Sequence, residues 1–386
     1  MLENQSHLFN LPDDVTYLNC AYMSPMLKSV SAIGQQAVIQ KENPTQIFPK
    51  HFFDTPRHLR EQFAKLISAD DPDDCVIVPA ASYAIENVAK NINAGKGDNF
   101  IVLDEQFPSN LYPFKVFEQK GVELRVISAP PDTENRTIVW NEKILSAIDS
   151  NTKMVAMAHV HWTDGTLYDL KAISKRAKEV GALFIIDGTQ SIGALPFSVK
   201  EFEPDMVVAS GYKWLLGPYA IGMAYYGKYF HDKLPIENSW IHRLGSENFE
   251  NLVNYQDQYQ PGARRFEMGE SANFVLAPML IESLKQLNKW GIQNIQDYCQ
   301  NLTSPPVAVL RKLGFVIENE EDRAYHMFGV RLPQGIDPKV LKEQFAKMNI
   351  YVSVRGESVR IATHLFNDQN DMDKLVEGFK TFTNAQ

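Results

Sequence analysis

What most constrains the fold of this chain is a set of short apolar runs. Each stops at small or polar turn residues and is separated from the next by a stretch of helical periodicity. Cys75 to Val78, Phe100 to Leu103, Val122 to Ile127, the run from Lys153 toward His159, Leu183 to Ile186 and Met206 to Ala209 read as strands. Between them, residues 55–67 place Leu59, Phe63, Leu66 and Ile67 on one helical face. Ile85, Val88 and Ala89, residues 141–148 and residues 170–180 repeat that pattern. Strand, helix, strand at this rhythm predicts an α/β fold with a doubly wound, mostly parallel sheet. Met223 to Tyr226 reads as one further strand, and residues 235–265 then lose periodicity and turn polar and aromatic. A helix from Pro278 to Trp290 leads into strand readings at 314–317, 327–332 and 350–354, with helices at 338–348 and 371–382. The expectation is a smaller α+β C-terminal domain. The division expected is an arm over 1–30, a large domain over 31–235, an interface loop region over 236–270 and a small domain over 271–386.

Two of the strand ends carry chemistry. Met206 to Ala209 stops at Ser210-Gly211, and Tyr212-Lys213-Trp214 follows. A free lysine has a pKa near 10.4, so only about one in two thousand is an amine at neutral pH. An apolar pocket lowers that value and yields a nucleophile able to form a Schiff base. Taken alone, the stretch also fits a lysine on a surface loop. Upstream, Leu183 to Ile186 delivers Asp187 at a strand's C-terminal end, where open α/β sheets hold ligands. Gln190 follows after Gly188. An amine, a carboxylate and an amide at one sheet edge are the groups that pyridoxal 5′-phosphate needs for its aldehyde, ring nitrogen and ring oxygen. A carboxylate roughly 3 Å from a pyridinium, at an effective dielectric near 20, contributes about 5 kcal/mol before desolvation.

The segments Asp187-Gly-Thr-Gln-Ser-Ile-Gly and Ser210-Gly-Tyr-Lys-Trp, with Gly217-Pro218 following, resemble the class V aminotransferase family. These are fold-type I pyridoxal phosphate enzymes, a group that includes cysteine desulfurases, kynureninases and isopenicillin-epimerase-like proteins. The resemblance implies that Lys213 carries the cofactor as a Schiff base, Asp187 pairs with the pyridine nitrogen and Gln190 lies near the ring oxygen. Ser210 and Tyr212 would hold the phosphate. Ala81-Ser82 stands where relatives have a Gly-Thr-Thr-like phosphate turn, so backbone contacts persist while one hydroxyl is lost. Phe107, in Phe-Pro-Ser-Asn, matches the kynureninase-like form of the motif and would lie over the ring. Trp162 matches a position that sits against the ring or substrate. Asn19, Ala21 and Tyr22 match a segment lining the substrate mouth. Arg360, in Arg-Ile-Ala-Thr-His-Leu-Phe-Asn, would grip the substrate α-carboxylate, with Arg355 a nearby decoy. Trp240 and Arg243 are candidates for reaching a neighbouring subunit, because the resemblance implies a homodimer with shared active sites. Arg265 and Glu267 are read as structural, and Glu270-Ser271 puts a phosphate contact from the partner in doubt.

Other features bound the function. A net charge of −9 without a basic run argues against a nucleic-acid partner. No run approaches the length of a membrane span, and the first residues carry no signal-peptide pattern. Cys20, Cys75 and Cys299 have no metal or redox spacing, which fits reduced thiols in a cytoplasmic protein. His159 and His161 share a strand face without a third ligand, so no metal site is expected. The expected activity is an aminotransferase acting on an amino acid. A β-lyase or hydrolase of kynureninase type, or an epimerase, is the alternative. Cysteine desulfuration is excluded at this stage because residues 351–360 lack a cysteine. A nicotinamide Rossmann protein would need an early Gly-x-Gly-x-x-Gly turn, and none occurs.

Overall fold

In a computed structural model, residues 2–130, 135–333, 337–356 and 358–384 are described. In chain order the strands are β1 (Thr16–Tyr17), β2 (Cys75–Val78), β3 (Asn99–Leu103), β4 (Glu123–Ile127), β5 (Thr152–Ala158) and β6 (Leu183–Asp187). They continue with β7 (Met206–Ser210), β8 (Gly222–Tyr226), β9 (Met327–Arg331), β10 (Ile350–Tyr351), β11 (Ser353–Arg355) and β12 (Ser358–Ala362). Seven of them form one sheet in the order β2-β8-β7-β6-β5-β3-β4. The pairs from β7 through β4 are parallel, and β8 runs antiparallel to both β7 and β2.

Alternate residues on these strands enter two different cores. Ile77, Ile101, Val155, Phe184, Ile186 and Val207 face one cluster, with Leu59, Phe63, Trp140 and Ile173 from the helices over that side. Val76, Phe100, Met154, Ile185, Met206 and Val208 face the other, with Ile85, Val88, Phe114 and Phe117. A sheet covered on both faces needs apolar residues at both parities, which is why its strands read as continuous runs. The fold is therefore the doubly wound α/β type expected from the sequence.

A second sheet, β11-β12-β9, is antiparallel and has its own core around Phe328, Val359, Phe345 and Phe379. Two expectations change here. Residues 314–317 make only an isolated bridge, Val316 to Arg331, rather than a strand. The extended run 350–354 is shared: β10 pairs with β1 of the arm, and β11 pairs with β12. A helix over Ile292–Lys312 continues through Pro305 and Pro306. The arm is tied to this second sheet by Ala362 N–H donating to the Leu18 carbonyl at 2.9 Å and Ser353 Oγ donating to Asn19 Oδ1 at 2.7 Å. Residues 235–265 hold only short 3-10 turns, at Trp240–His242, Phe249–Asn251 and the start of Arg264–Phe266.

Candidate active site

Four neighbouring parallel strands end at one place. Leu103 closes β3, Ala158 closes β5, Asp187 closes β6 and Ser210 closes β7, and all four line a cleft of about 550 Å³. Ala81, Phe107, Trp162, Gln190, Tyr212 and Lys213, all predicted for the cofactor site, also stand on its walls; Ser82 does not. The C-terminal edge of a parallel sheet is where backbone amides and loop side chains converge, so chemistry collects there.

Lys213 is 7% exposed and Asp187 is 9% exposed. No described carboxylate lies within ion-pair distance of the Lys213 amine, whose aromatic neighbours are the Phe107 ring at 5.5 Å and the Tyr212 ring at 5.6 Å. Burial lowers its pKa from 10.5 to about 8 against the opposing pull of Asp187, with Arg360 and Arg355 adding to the depression. Asp187 accepts the Thr189 backbone N–H at 3.0 Å, which fixes the carboxylate at the strand end. Thr189 was not singled out in the sequence. Its hydroxyl lies 3.5 Å from Ser210 Oγ and accepts the Ser210 N–H at 3.4 Å, so two hydroxyls share one corner of the cleft. A Thr two residues after a strand-end Asp was the available signal.

Gln190 lines the cleft but is already engaged. Its Oε1 accepts from Trp214 Nε1 at 2.9 Å, and its Nε2 donates to the Ala21 carbonyl at 3.1 Å. The amide thus ties the Asp187 loop to the arm, with one amide hydrogen left over. Trp162 donates from Nε1 to the Glu105 carbonyl at 2.7 Å and meets the Phe107 ring edge-on at 5.5 Å. That pair fixes the loop over the cleft. Burial raises the Tyr212 hydroxyl's pKa, and its ring lies 4.7 Å from Tyr219.

The helix Ala81–Asn91 begins at the cleft wall, and its N-cap, Ala80, supplies no side-chain cap. Ser82 is the second residue of that helix, so it is not the cap; it is half-buried and does not line the cleft. His159 is packed against Phe197 and Phe202, and burial lowers its pKa to about 3. His161 also lines the cleft, with Nδ1 2.8 Å from Thr163 Oγ1 and 3.3 Å from Asp164 Oδ1. Asn110, on the same wall, is buried, and neither of its side-chain polar atoms has a partner among the described residues.

The mouth is a second, contiguous cleft of about 770 Å³, lined in part by Tyr22, Phe107, Trp162, Lys213, Arg355 and Arg360. Arg360 is 1% exposed, yet among the described residues its Nε and Nη2 have no partner, while Nη1 donates to the Trp162 carbonyl at 2.7 Å. Burial, and then the nearby Arg355, lower its pKa from 12.5 to about 9. Arg355, read as a decoy, faces this same mouth. Trp240 lies away from both clefts in this chain, in an aromatic cluster with Phe52, Phe53 and Phe249. Glu267 pairs with the buried Arg60 at 3.2 Å and accepts the Ile77 N–H at 3.3 Å, so it holds the fold together.

With this geometry in hand, comparison with known proteins is decisive. A family model for aminotransferase class-V matches residues 41–375. The chain belongs to the class V aminotransferase family. An uncharacterized aminotransferase, YcbU, of Bacillus subtilis is 26% identical over 330 residues, covering 85% of this chain and 84% of the relative. A probable cysteine desulfurase of Methanothermobacter thermautotrophicus is 26% identical over 340 residues, covering 83% of this chain and 82% of the relative. In three dimensions, the apo cysteine desulfurase of Thermococcus onnurineus aligns over 100% of both chains with a TM-score of 0.85 at 19% identity. The cystine C-S lyase C-DES, in complex with cysteine persulfide, aligns over 95% of this chain and 97% of that one, with a TM-score of 0.84 at 17% identity. The last two comparisons speak to the fold.

The protein is a pyridoxal 5′-phosphate enzyme of fold type I. The residues present fit that group. A buried lysine pairs with no described carboxylate, a buried aspartate ends the neighbouring strand, and a helix start without a side-chain cap and two hydroxyls edge the same cleft. Exclusion of cysteine desulfurase, drawn from the missing loop cysteine, is not supported, because the relatives include probable cysteine desulfurases.

Proposed function

We propose that this enzyme is an aminotransferase acting on a free amino acid, with Lys213 as the residue that bonds the cofactor and then moves the proton. The single observation that carries this reading is the shared cleft. A lysine lowered to a pKa of about 8 lines two adjoining clefts, one with a buried aspartate and the other with a buried arginine that leaves Nε and Nη2 without a described partner. When bound, pyridoxal phosphate supplies the electron sink that takes up charge from a bond broken at the substrate Cα.

Each side chain has a task in this reading. Asp187 would hold the ring nitrogen protonated, and the remaining amide hydrogen of Gln190 would serve the ring oxygen. Phe107 and Trp162 cover the ring and exclude water. The Ala81 amide end of its helix, Ser210, Tyr212 and Thr189 serve the phosphate, with Ser82 contributing backbone only. Arg360 would bind the α-carboxylate and so orient the substrate in the mouth. Lys213 Nζ would be the base that takes the Cα proton; a group with a pKa near 8 exchanges protons readily at neutral pH. Tyr22 closes the mouth. A second copy of the chain, reached through Trp240, and a cytoplasmic location belong to the same reading.

A second reading, C–S bond cleavage, is favoured by the names of the relatives. In this chain all three thiols are buried, and burial pushes Cys20, Cys75 and Cys299 above their ordinary pKa. Sulfur released here would therefore pass to an external acceptor rather than to a thiolate of this chain. The test is to follow the visible absorbance of purified enzyme with single amino acids, with and without a keto acid, while assaying keto acid and sulfide. Transamination predicts a keto acid product that requires the second keto acid for turnover. Sulfide from cysteine without any keto acid would replace the first reading with the second.

A further inference from the structure

The mouth of the cleft carries one more cation than an ordinary amino acid needs. In the β11–β12 hairpin, Ser353 stands opposite Arg360 and Arg355 stands opposite Ser358. Arg355 and Arg360 are therefore diagonal neighbours on one face of the hairpin, about 7 Å apart at the backbone. Both line the same 770 Å³ space as Lys213. Like charges at that spacing repel, and Arg355 is the second cause of the lowered pKa of Arg360. Neither guanidinium forms an ion pair with a carboxylate among the described residues, and Arg355 Nε has no partner. Arg355 is half-buried, held by a bond from Nη1 to the Val354 carbonyl at 2.7 Å and lying over the Trp162 ring at 5.4 Å. That stacking presents a planar fork into the mouth instead of letting it sweep through solvent.

We propose that the enzyme selects an amino acid whose side chain carries a second anion, such as a carboxylate, with the α-carboxylate on Arg360 and the side-chain anion on Arg355. The assignment rests on the proposed role of Arg360 and extends it to substrate class. Arg360 is the deeper group and lies nearer the Lys213 and Trp162 walls, so it takes the invariant end of the substrate. Arg355 lies outward, where the variable end emerges. A neutral side chain leaves Arg355 facing Arg360 without an intervening anion. An acidic side chain one or two methylenes long places a negative charge between the two forks.

The test uses the enzyme with its cofactor at low salt. Dissociation constants are read from the change in the visible band for aspartate, asparagine, glutamate, glutamine and alanine. One of the acidic amino acids is expected to bind at least about tenfold tighter than its own amide, a gap that shrinks as salt screens the outer pair. Arg355→Gln is expected to collapse that ratio, and Arg355→Lys, which keeps the charge but loses the fork, to retain part of it. Equal binding of acid and amide by the wild-type enzyme overturns the proposal, as does a ratio that Arg355→Gln leaves unchanged. In either case both forks serve a single carboxylate. Should the protein show no cofactor band, the proposed function itself fails. Thermal stabilisation by maleate against propionate at equal ionic strength then reads the paired site directly. Stronger stabilisation by the dianion supports it, and equal shifts overturn it.

Discussion

Replacing Arg360 with methionine separates what this residue does for the fold from what it does for a substrate. Its guanidinium is 1% exposed, uses one donor on the Trp162 carbonyl and leaves Nε and Nη2 unpaired. A drop in pKa from 12.5 to about 9 corresponds to a penalty on the order of 5 kcal/mol at 1.36 kcal/mol per unit. Removing the side chain also forfeits one hydrogen bond, about 1 kcal/mol, and a volume match that methionine restores to within about 2 kcal/mol. The balance is a substrate-free variant more stable by about 2 kcal/mol. The assay is equilibrium unfolding by urea without substrate, beside titration of an amino acid into each protein. Arg360→Met is expected to raise the midpoint at unchanged slope and to weaken amino acid binding at least about a hundredfold. A variant less stable than the parent would refute the reasoning, because the buried cation would then contribute to the fold rather than wait for an anion.

Three further outcomes follow from the same geometry. The rate at which apoenzyme takes up pyridoxal phosphate should rise with pH and level off just above the Lys213 pKa of about 8, not near 10.5. The sign follows from burial. The folded-state pKa is lowered, so the protonated lysine is penalised below about 8 and stability recovers as pH rises from there toward 10.5. Stopped-flow absorbance across pH 6–10, an assay window chosen around that pKa of about 8, checks it. Asp187→Asn should keep the fold, since Thr189 N–H can still be accepted, but cost roughly two to four decades in kcat as the ring nitrogen loses its anion. Steady-state kinetics on the most active amino acid reads this. Glu267→Gln, far from the cleft, should lose about 2 kcal/mol of stability by leaving the partly exposed Asp73, at 3.4 Å, as the remaining described counter-charge of buried Arg60, with the cofactor band intact; chemical denaturation measures it.

Much of the large sheet is legible in the sequence because burial on both faces leaves the same mark on every strand. Cys75–Val78 is recovered to the residue, and Leu183–Asp187 and Met206–Ser210 to within one. The reading fails where local signals and long-range pairing disagree. The helix Ile292–Lys312, not delimited from the sequence, runs through Pro305 and Pro306, with Ile295, Cys299, Leu302 and Leu310 buried on one side. The helix Lys28–Glu42 offers few large apolar residues to recognise. It packs closely through Gly34, where a Cβ would come 2.6 Å from Met279 Sδ. The extended run 350–354 hides a change of partners that only the arm reveals.

The site divides in the same way. Asp187, Gln190, Ser210, Tyr212 and Lys213 lie in two linear motifs, so their convergence follows once the strands are parallel neighbours. Thr189 lies inside the first of these motifs, but its contact with Ser210 shows only in the fold, and Asn110 and Arg355 gain their place only from closure of loops and hairpins contributed by other parts of the chain. The engagement of Gln190 with Trp214 and Ala21 is likewise invisible in sequence, because it depends on where the arm lies.

Reduction of the purified enzyme with borohydride, followed by peptide mass mapping, reaches the central claim most directly. The account predicts a single pyridoxyl group on the peptide containing Lys213 and loss of the visible band; a label on another lysine, or none after incubation with pyridoxal phosphate, would contradict it.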